Sequence, residues 1–303
     1  MQKGLRLYGW SHYSKVMKLS KILVTGVGGP AGRSVATLLL ERRVNVVGTD
    51  MTLVEMEGIR FHQVPPADDP QLLPTVYSIA NQEEVDLVIP TVSEELPVFS
   101  KSWQWHAEIP VLISSAKAVE TANDKYLTSQ ALSARNVSVP RFCLPSELYS
   151  PDELASKIGW PCISKPRVGR GGREVLLHNE DDWSSITILG DNYILQEFAD
   201  GTDYAPNVYS SPDGRSKVVV LEKTELKEGR VGNAKSVRRV QDEDVAELAM
   251  AAAHAVGLVG PLDIDIRRRT DGRPVVLEIN ARFGANIRFA QEVFEAALAG
   301  YLT

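Results

Sequence analysis

Cysteine is nearly absent: the 303-residue chain has two, Cys143 and Cys162. Two thiols cannot form the disulfide framework of a small secreted scaffold, so a reducing, cytoplasmic setting is the expectation. Long apolar runs are missing as well, and no stretch nears the ~18 residues of a membrane span. The five histidines (His12, His62, His106, His178, His254) are scattered without zinc-ligand spacing, and no Ser/His/Asp or Cys/His arrangement emerges. Nor is there a basic excess. Lys and Arg number 33 against 39 Asp and Glu, a net charge of −6, which argues against a dedicated nucleic-acid binder. Repeats and low-complexity tracts do not occur. No acid precedes Glu41, while Lys3, Arg6, Lys15 and Lys18 are basic. This opening segment lacks the apolar run of a secretory signal and reads as an extension, 1–17, ahead of a domain starting near Met17.

What is present fits a globular chain of roughly two domains, with 44% apolar and 24% charged residues. From Lys21 the order is strand (Ile22-Leu23-Val24), Gly-rich turn, helix (Pro30 to Arg42) and strand (Val44 to Val47). A helix from Leu72 to Ala80 follows, then the strands Asp86 to Ile89 and Val111 to Ile113. Alternating β and α with short connections predicts a parallel sheet covered on both faces, over about 18–118. Beyond it a helix opens near Asn123, and Ser150-Pro151-Asp152-Glu153 is a helix start. Antiparallel strands are expected at Cys162 to Lys165, Tyr193 to Glu197, Tyr204 to Tyr209 and Lys217 to Glu222, the last two joined at Asp213-Gly214. A helix from Glu243 to Val256 stops at Gly257, and a final hairpin from Leu262 to Asn280 turns at Asp271-Gly272.

Three clusters carry chemistry. Gly26-Val27-Gly28-Gly29-Pro30-Ala31 follows a strand and opens a helix, with Asp50 ending the next strand. Alone this matches a dinucleotide fingerprint, and equally the tight turn of a doubly wound domain that binds no nucleotide. Lys165 to Arg173 joins a lysine at a strand end to a glycine-rich cationic loop. Alone, such a loop suits a polyphosphate and equally a solvated basic hairpin turn, and it is not a Walker sequence. The third cluster follows from register. A two-residue turn at Asp271-Gly272 sets Asp265 opposite Glu278 and Asp263 opposite Asn280, with Leu262, Ile264, Ile266, Leu277 and Ile279 on the other face. Opposed carboxylates repel unless a cation lies between them, and hard oxygens in this arrangement suit Mg²⁺ that also holds phosphates; the other reading is a solvent-exposed acidic strand face relieved by Arg267 or Arg282.

In order, these motifs resemble the ATP-grasp superfamily of carboxylate–amine ligases, closest to the ATP-binding half of the carbamoyl phosphate synthase large chain and its stand-alone relatives. The resemblance runs from Lys21 to Arg288. Val64 to Asp68 and Ile89 to Leu96 look like its pre-ATP-grasp domain, where the Gly loop holds no dinucleotide. It implies an α/β architecture: a Rossmann-like domain, then a two-lobed α+β ATP-grasp fold over 119–303, with a small lobe at about 119–198 and a large lobe at about 199–303. It also implies phosphate contacts from Lys125 and Lys165 and a flap at Gly169, Gly171 and Gly172. The adenine-binding hinge falls at Gln196, Glu197, Phe198 and Ala199, and the ribose acid at Asp203. The magnesium ligands fall at Asp265, Glu278 and Asn280. Arg282 matches the arginine that stabilises the transferred phosphate, and Lys235 a substrate or acyl-phosphate contact.

The activity implied is amide formation by an ATP- and Mg²⁺-dependent ligase through an acyl phosphate, with Mn²⁺ as a possible replacement metal. Its partners would be a small carboxylate and a small amine, with no nucleic acid or membrane, and a homodimer stays open. Asn207, Arg238, Arg239, Asn286 and Arg288 are acceptor-pocket candidates that could equally be surface residues. Asp265 stands where several relatives carry Glu or Gln, and Ala281 where proline is common. No second ATP-grasp half or glutaminase segment is recognisable, so complete carbamoyl phosphate synthesis is not expected of this chain alone. Two other readings stay open: a non-catalytic ATP sensor of the same fold, and an NAD-dependent dehydrogenase.

Overall fold

The computed structural model describes residues 20–102, 109–169, 172–228 and 231–299. The expected extension 1–17 and the flap residue Gly171 lie outside the described residues. The chain opens with β1 (Lys21–Thr25), α1 (Pro30–Glu41), β2 (Asn45–Asp50), β3 (Ile59–Gln63), α2 (Leu72–Gln82), β4 (Leu87–Ile89) and α3 (Leu96–Ser102). The strands form a parallel sheet in the order β3-β2-β1-β4. Ile22 and Val24 pack toward Val35, Leu38 and Leu39 of α1, while Leu23 and Val47 pack toward Leu72 and Val76 of α2. Both faces are therefore covered, as the apolar runs required. The expected strand at Val111–Ile113 is reduced to one parallel bridge between Val111 and Val88. The edge β3 was not anticipated, although Ile59 and Phe61 alternate.

Two helices follow, α4 (Ala116–Asn123) and α5 (Lys125–Ser133). The second sheet contains β5 (Phe142–Cys143), β6 (Cys162–Pro166), β7 (Leu176–His178) and β8 (Tyr193–Glu197), in the antiparallel order β5-β8-β6-β7. Helix α6 (Pro151–Lys157) begins as expected: the Ser150 hydroxyl accepts from the Glu153 N–H, and the Glu153 carboxylate accepts from the Tyr149 N–H at 2.7 Å. Helix α7 (Trp183–Ile186) precedes β8, and its Ile186 shares a core with Leu154 of α6 and Leu195 of β8.

The third sheet contains β9 (Asp203–Tyr204), β10 (Asn207–Ser210), β11 (Ser216–Glu228), β12 (Val231–Val240), β13 (Gly260–Arg268) and β14 (Pro274–Asn280). Helices α8 (Glu243–Val256) and α9 (Gln291–Leu298) pack on it, and α8 ends at left-handed Gly257 as the sequence required. The expected strand Tyr204–Tyr209 is broken into β9 and β10. Pro206 lies at the break and has no N–H to give a ladder. Val219 and Leu221 of β11 share one core with α1, Phe283, Val293 and Phe294.

The last hairpin corrects the predicted turn. Arg269 donates to the Arg273 carbonyl and Gly272 to that of Arg269, leaving a three-residue loop, Thr270 to Gly272, with Gly272 at φ +84°. That loop would slip the register by one residue and set Asp265 opposite Leu277. A bulge removes the slip. Ile266 pairs with Val276, Leu277 is skipped, and Asp265 pairs with Glu278, Ile264 with Ile279 and Asp263 with Asn280. The expected carboxylate pair thus survives through two compensating departures. Leu277, expected on the apolar face, lines the cleft instead.

Candidate nucleotide-binding site

A cleft of about 790 Å³ is lined by the ends of β6 and β8, by Lys223 of β11, by β13 and β14, and by residues of the loop after β1 and of α1. Lys125 enters it from the first turn of α5. Asp124 caps that helix by accepting from the Tyr126 and Leu127 N–H groups, and Arg167 grips the same carboxylate at 2.6 Å. The Lys125 ammonium is buried, donates to the Gly169 carbonyl at 2.9 Å and lies 3.5 Å from Glu278 Oε2. The start of the glycine loop is therefore tied to β14 through one lysine.

Lys165, at the end of β6, donates to the Leu277 carbonyl at 3.0 Å, the carbonyl of the bulged residue. Burial is the main force pushing its pKa down to about 8, and the Lys125 charge adds to it; Glu278 and Asp265 resist. The repulsion between the two ammonium groups is of the kind that a triphosphate would relieve.

The expected hinge is arranged mainly through its backbone. The Gln196 side chain turns to Ser129 Oγ at 3.2 Å, and Glu197 pairs with Arg269 at 3.0 Å and Arg141 at 3.3 Å. Phe198 lies under the Arg267 guanidinium, 5.5 Å from ring centroid to carbon, and Ala199 is buried at the cleft wall. Asp203 faces the same wall, with Lys223 Nζ at 3.1 Å and Arg267 at 3.7 Å; burial raises its pKa.

Asp265 and Glu278 are brought together, but neither carboxylate is alone. Lys223 Nζ sits 2.6 Å from Asp265 Oδ1, as Lys125 sits beside Glu278. Like-charge repulsion, the problem that opposed carboxylates pose, is thus relieved by lysines already in place. Asn280 Oδ1 accepts from Arg282 Nη2 at 3.1 Å, and Arg282 also pairs with Asp263 Oδ2 at 3.2 Å and donates to the Phe283 carbonyl. Among the described residues no three His, Cys, Asp or Glu side chains converge as a metal cage. The donor set is two carboxylates and an amide oxygen, all hard oxygens, which fits magnesium completed by phosphate and water oxygens.

Lys235 is displaced from this centre. Its side chain is 62% exposed at the rim of the cleft and pairs with Glu225 at 2.6 Å. Of the acceptor candidates, Asn286 and Arg288 line the cleft, whereas Arg238 pairs with Glu222, Arg239 with Glu292, and Asn207 is buried within the sheet. The sequence reading missed Lys223; Arg267 and Arg282, named there as cations for the acidic face, pair with Asp203 and Asp263. A signal for Lys223 existed, since it shares the strand parity of Val219 and Leu221, both buried. An inward lysine needs a partner.

The Gly26 loop has closed on itself. The Gly28 N–H donates to Asp50 Oδ2 at 2.9 Å, and Asp50 Oδ1 accepts from the Thr52 N–H and hydroxyl. The acid that a dinucleotide fingerprint would offer to ribose instead holds the loop's own backbone. A Cβ on Gly32 would meet the Gly26 carbonyl oxygen at 2.2 Å, so tight packing accounts for that glycine.

Comparison with known proteins agrees with this geometry. The ATP-grasp domain matches residues 122–286. A probable alpha-L-glutamate ligase of Shewanella loihica is 27% identical over 217 residues, covering 66% of this chain and 69% of that protein. The carbamoyl phosphate synthase large chain of Mycobacterium sp. (strain JLS) is 24% identical over 216 residues, 64% of this chain but only 18% of that protein. Among solved structures, the ADP complex of N5-carboxyaminoimidazole ribonucleotide synthetase superposes with a TM-score of 0.74 at 17% identity, covering 94% of this chain and 78% of that one. No described helix is long and apolar enough to cross a membrane. With more than half its length matched and its sheets, lysines and paired acids disposed as described, the chain belongs to the ATP-grasp family.

Proposed function

We propose that this chain is an ATP- and Mg²⁺-dependent ligase that joins a small carboxylate to an amine through an acyl phosphate. The observation that carries the reading is the convergence of Lys125, Lys165, Asp265, Glu278, Asn280 and Arg282 on one cleft. Family membership supports it. The nucleotide would lie between the lobes at about 119–198 and 199–303, with its base at Gln196–Ala199 and its ribose at Asp203. Magnesium held by Asp265, Glu278 and Asn280 would supply charge neutralisation at the phosphates. Lys125 and Lys165 neutralise phosphate oxygens, and Arg282, once drawn from Asp263, faces the charge on the group in transfer. The substrate carboxylate oxygen attacks the γ-phosphorus and ADP leaves. The amine nitrogen then attacks the acyl carbon, phosphate leaves, and the nitrogen gives up its proton. No side-chain nucleophile is required, in keeping with the lack of a triad.

The amine and carboxylate are found by measuring ADP release with ATP, Mg²⁺ and pooled amino acids, with hydroxylamine added to trap an acyl phosphate as hydroxamate. Carboxylate-dependent ADP and hydroxamate are the expected result. ATP binding with no ADP release from any pool would favour the sensor reading. Binding of NAD(H) in place of ATP would overturn the assignment.

A further inference from the structure

Lys223 has no part in the phosphoryl transfer just described, yet it occupies the centre of the acidic cluster. Strand β11 delivers it to the cleft, where its side chain is 8% exposed and bridges Asp265 Oδ1 at 2.6 Å and Asp203 Oδ1 at 3.1 Å. With Lys125 beside Glu278, each carboxylate proposed as a metal ligand already has an ammonium in contact. Lys125, Lys165, Lys223 and Arg267 stand against three acids, Asp203, Asp265 and Glu278, so cations of the chain itself already partner these carboxylates.

We infer that Lys223 is a built-in counter-ion that keeps divalent metal off the Asp265–Glu278 pair until nucleotide phosphates are present. The inference rests on the reading of the cleft as a nucleotide–metal site. A divalent cation that takes Asp265 Oδ1 must displace the ammonium or stand next to it. Two positive charges on one and one on the other repel strongly at that range in a poorly solvated cleft. Asp203, already 3.1 Å away, gives the displaced ammonium somewhere to stay, so Lys223 pivots and remains buried. The negative charge of a triphosphate then offsets the repulsion. Metal and nucleotide consequently bind as a unit, and metal alone is rejected. Lys223 thereby acts as a positioning residue for metal entry.

The test uses Mn²⁺ as the probe, with free Mn²⁺ followed by electron paramagnetic resonance during titration of the intact chain. Against a protein-free control that accounts for Mn²⁺ chelated by the analogue itself, wild type should take up Mn²⁺ at least about tenfold more tightly with a non-hydrolysable ATP analogue than without it. The double variant Lys223→Met/Asp203→Asn removes one charge of each sign and so preserves the buried balance. It should bind Mn²⁺ without nucleotide at least about tenfold more tightly than wild type, whereas Lys223→Arg, which keeps the charge, should not. Lys223→Gln provides a second, single-site arm with the same expected gain. Equal Mn²⁺ affinity of the wild type with and without nucleotide overturns the inference, as do neutral Lys223 variants no tighter than wild type. Absence of Mn²⁺ uptake even with the analogue overturns the nucleotide–metal reading itself.

Discussion

Raising the pH through 8 should make nucleotide binding consume a proton, and the group responsible is Lys165. Its ammonium is buried and donates to the Leu277 carbonyl, and its pKa is pushed down to about 8 by burial and by Lys125. A triphosphate lodged against Lys125 and Lys165 supplies the missing negative charge and draws Lys165 back toward the ordinary 10.5. At pH 8.5 a group titrating near 8 is about three-quarters neutral, so binding should take up about three-quarters of a proton. Affinity should fall by up to about tenfold for each pH step between about 8 and 10.5. Stability of the free protein moves the other way. The unfolded lysine holds its proton longer than the folded one, so folding carries a penalty of about 3 kcal/mol below pH 8, relieved as pH rises from about 8 to 10.5. Isothermal titration of a non-hydrolysable ATP analogue at pH 8.5, in buffers of differing ionisation enthalpy, measures the uptake directly. Lys165→Met should abolish it. Buffer-independent heats in the wild type would refute the reasoning.

Other outcomes follow from the same geometry. Glu278→Gln should sharply reduce Mg·ATP turnover and lower the stability of the free protein by about 2 kcal/mol in denaturant titration, because it strips the buried Lys125 of its carboxylate rather than relieving repulsion. Asp265→Asn should lose turnover with a smaller stability change, since Lys223 keeps Asp203 at 3.1 Å. Gly32→Ala drives a Cβ into the Gly26 carbonyl and should lower the melting temperature, while the folded fraction keeps its ATP-analogue affinity; a selective loss of nucleotide binding would revive the Gly loop as a nucleotide site. Amide exchange at Val168, Gly169, Gly172 and Arg173 should slow with nucleotide, because ordering a glycine-rich loop requires a ligand to hold it, and exchange indifferent to ATP would count against a flap.

Much of this protein was readable from short stretches of chain. The β–α alternation, the Ser150 cap and the Gly257 stop are written within a turn or two of sequence, because period, capping and left-handed glycine act locally. The same holds for the strand parity that puts Asp265 and Asp263 on one face and Ile264 and Ile266 on the other. Even so, the facing of Asp265 and Glu278 came from a turn of the wrong length, and a bulge at Leu277 restored it. No local signal marks that bulge. What places it in the site is the contact that the Leu277 carbonyl makes with Lys165, 112 residues away.

Motif order and residue type by themselves determined the fold class and which cationic and acidic groups would converge on one cleft. Only the tertiary structure decided how those groups are partnered with one another. Sheet order brings Lys223 to Asp265 across 42 residues, α5 brings Lys125 to Glu278, and the loop after β2 lets Asp50 close on Gly28. A buried charge takes whichever opposite charge the packing brings within a few ångströms, and that choice depends on which strands become neighbours, not on the residues beside it in the chain.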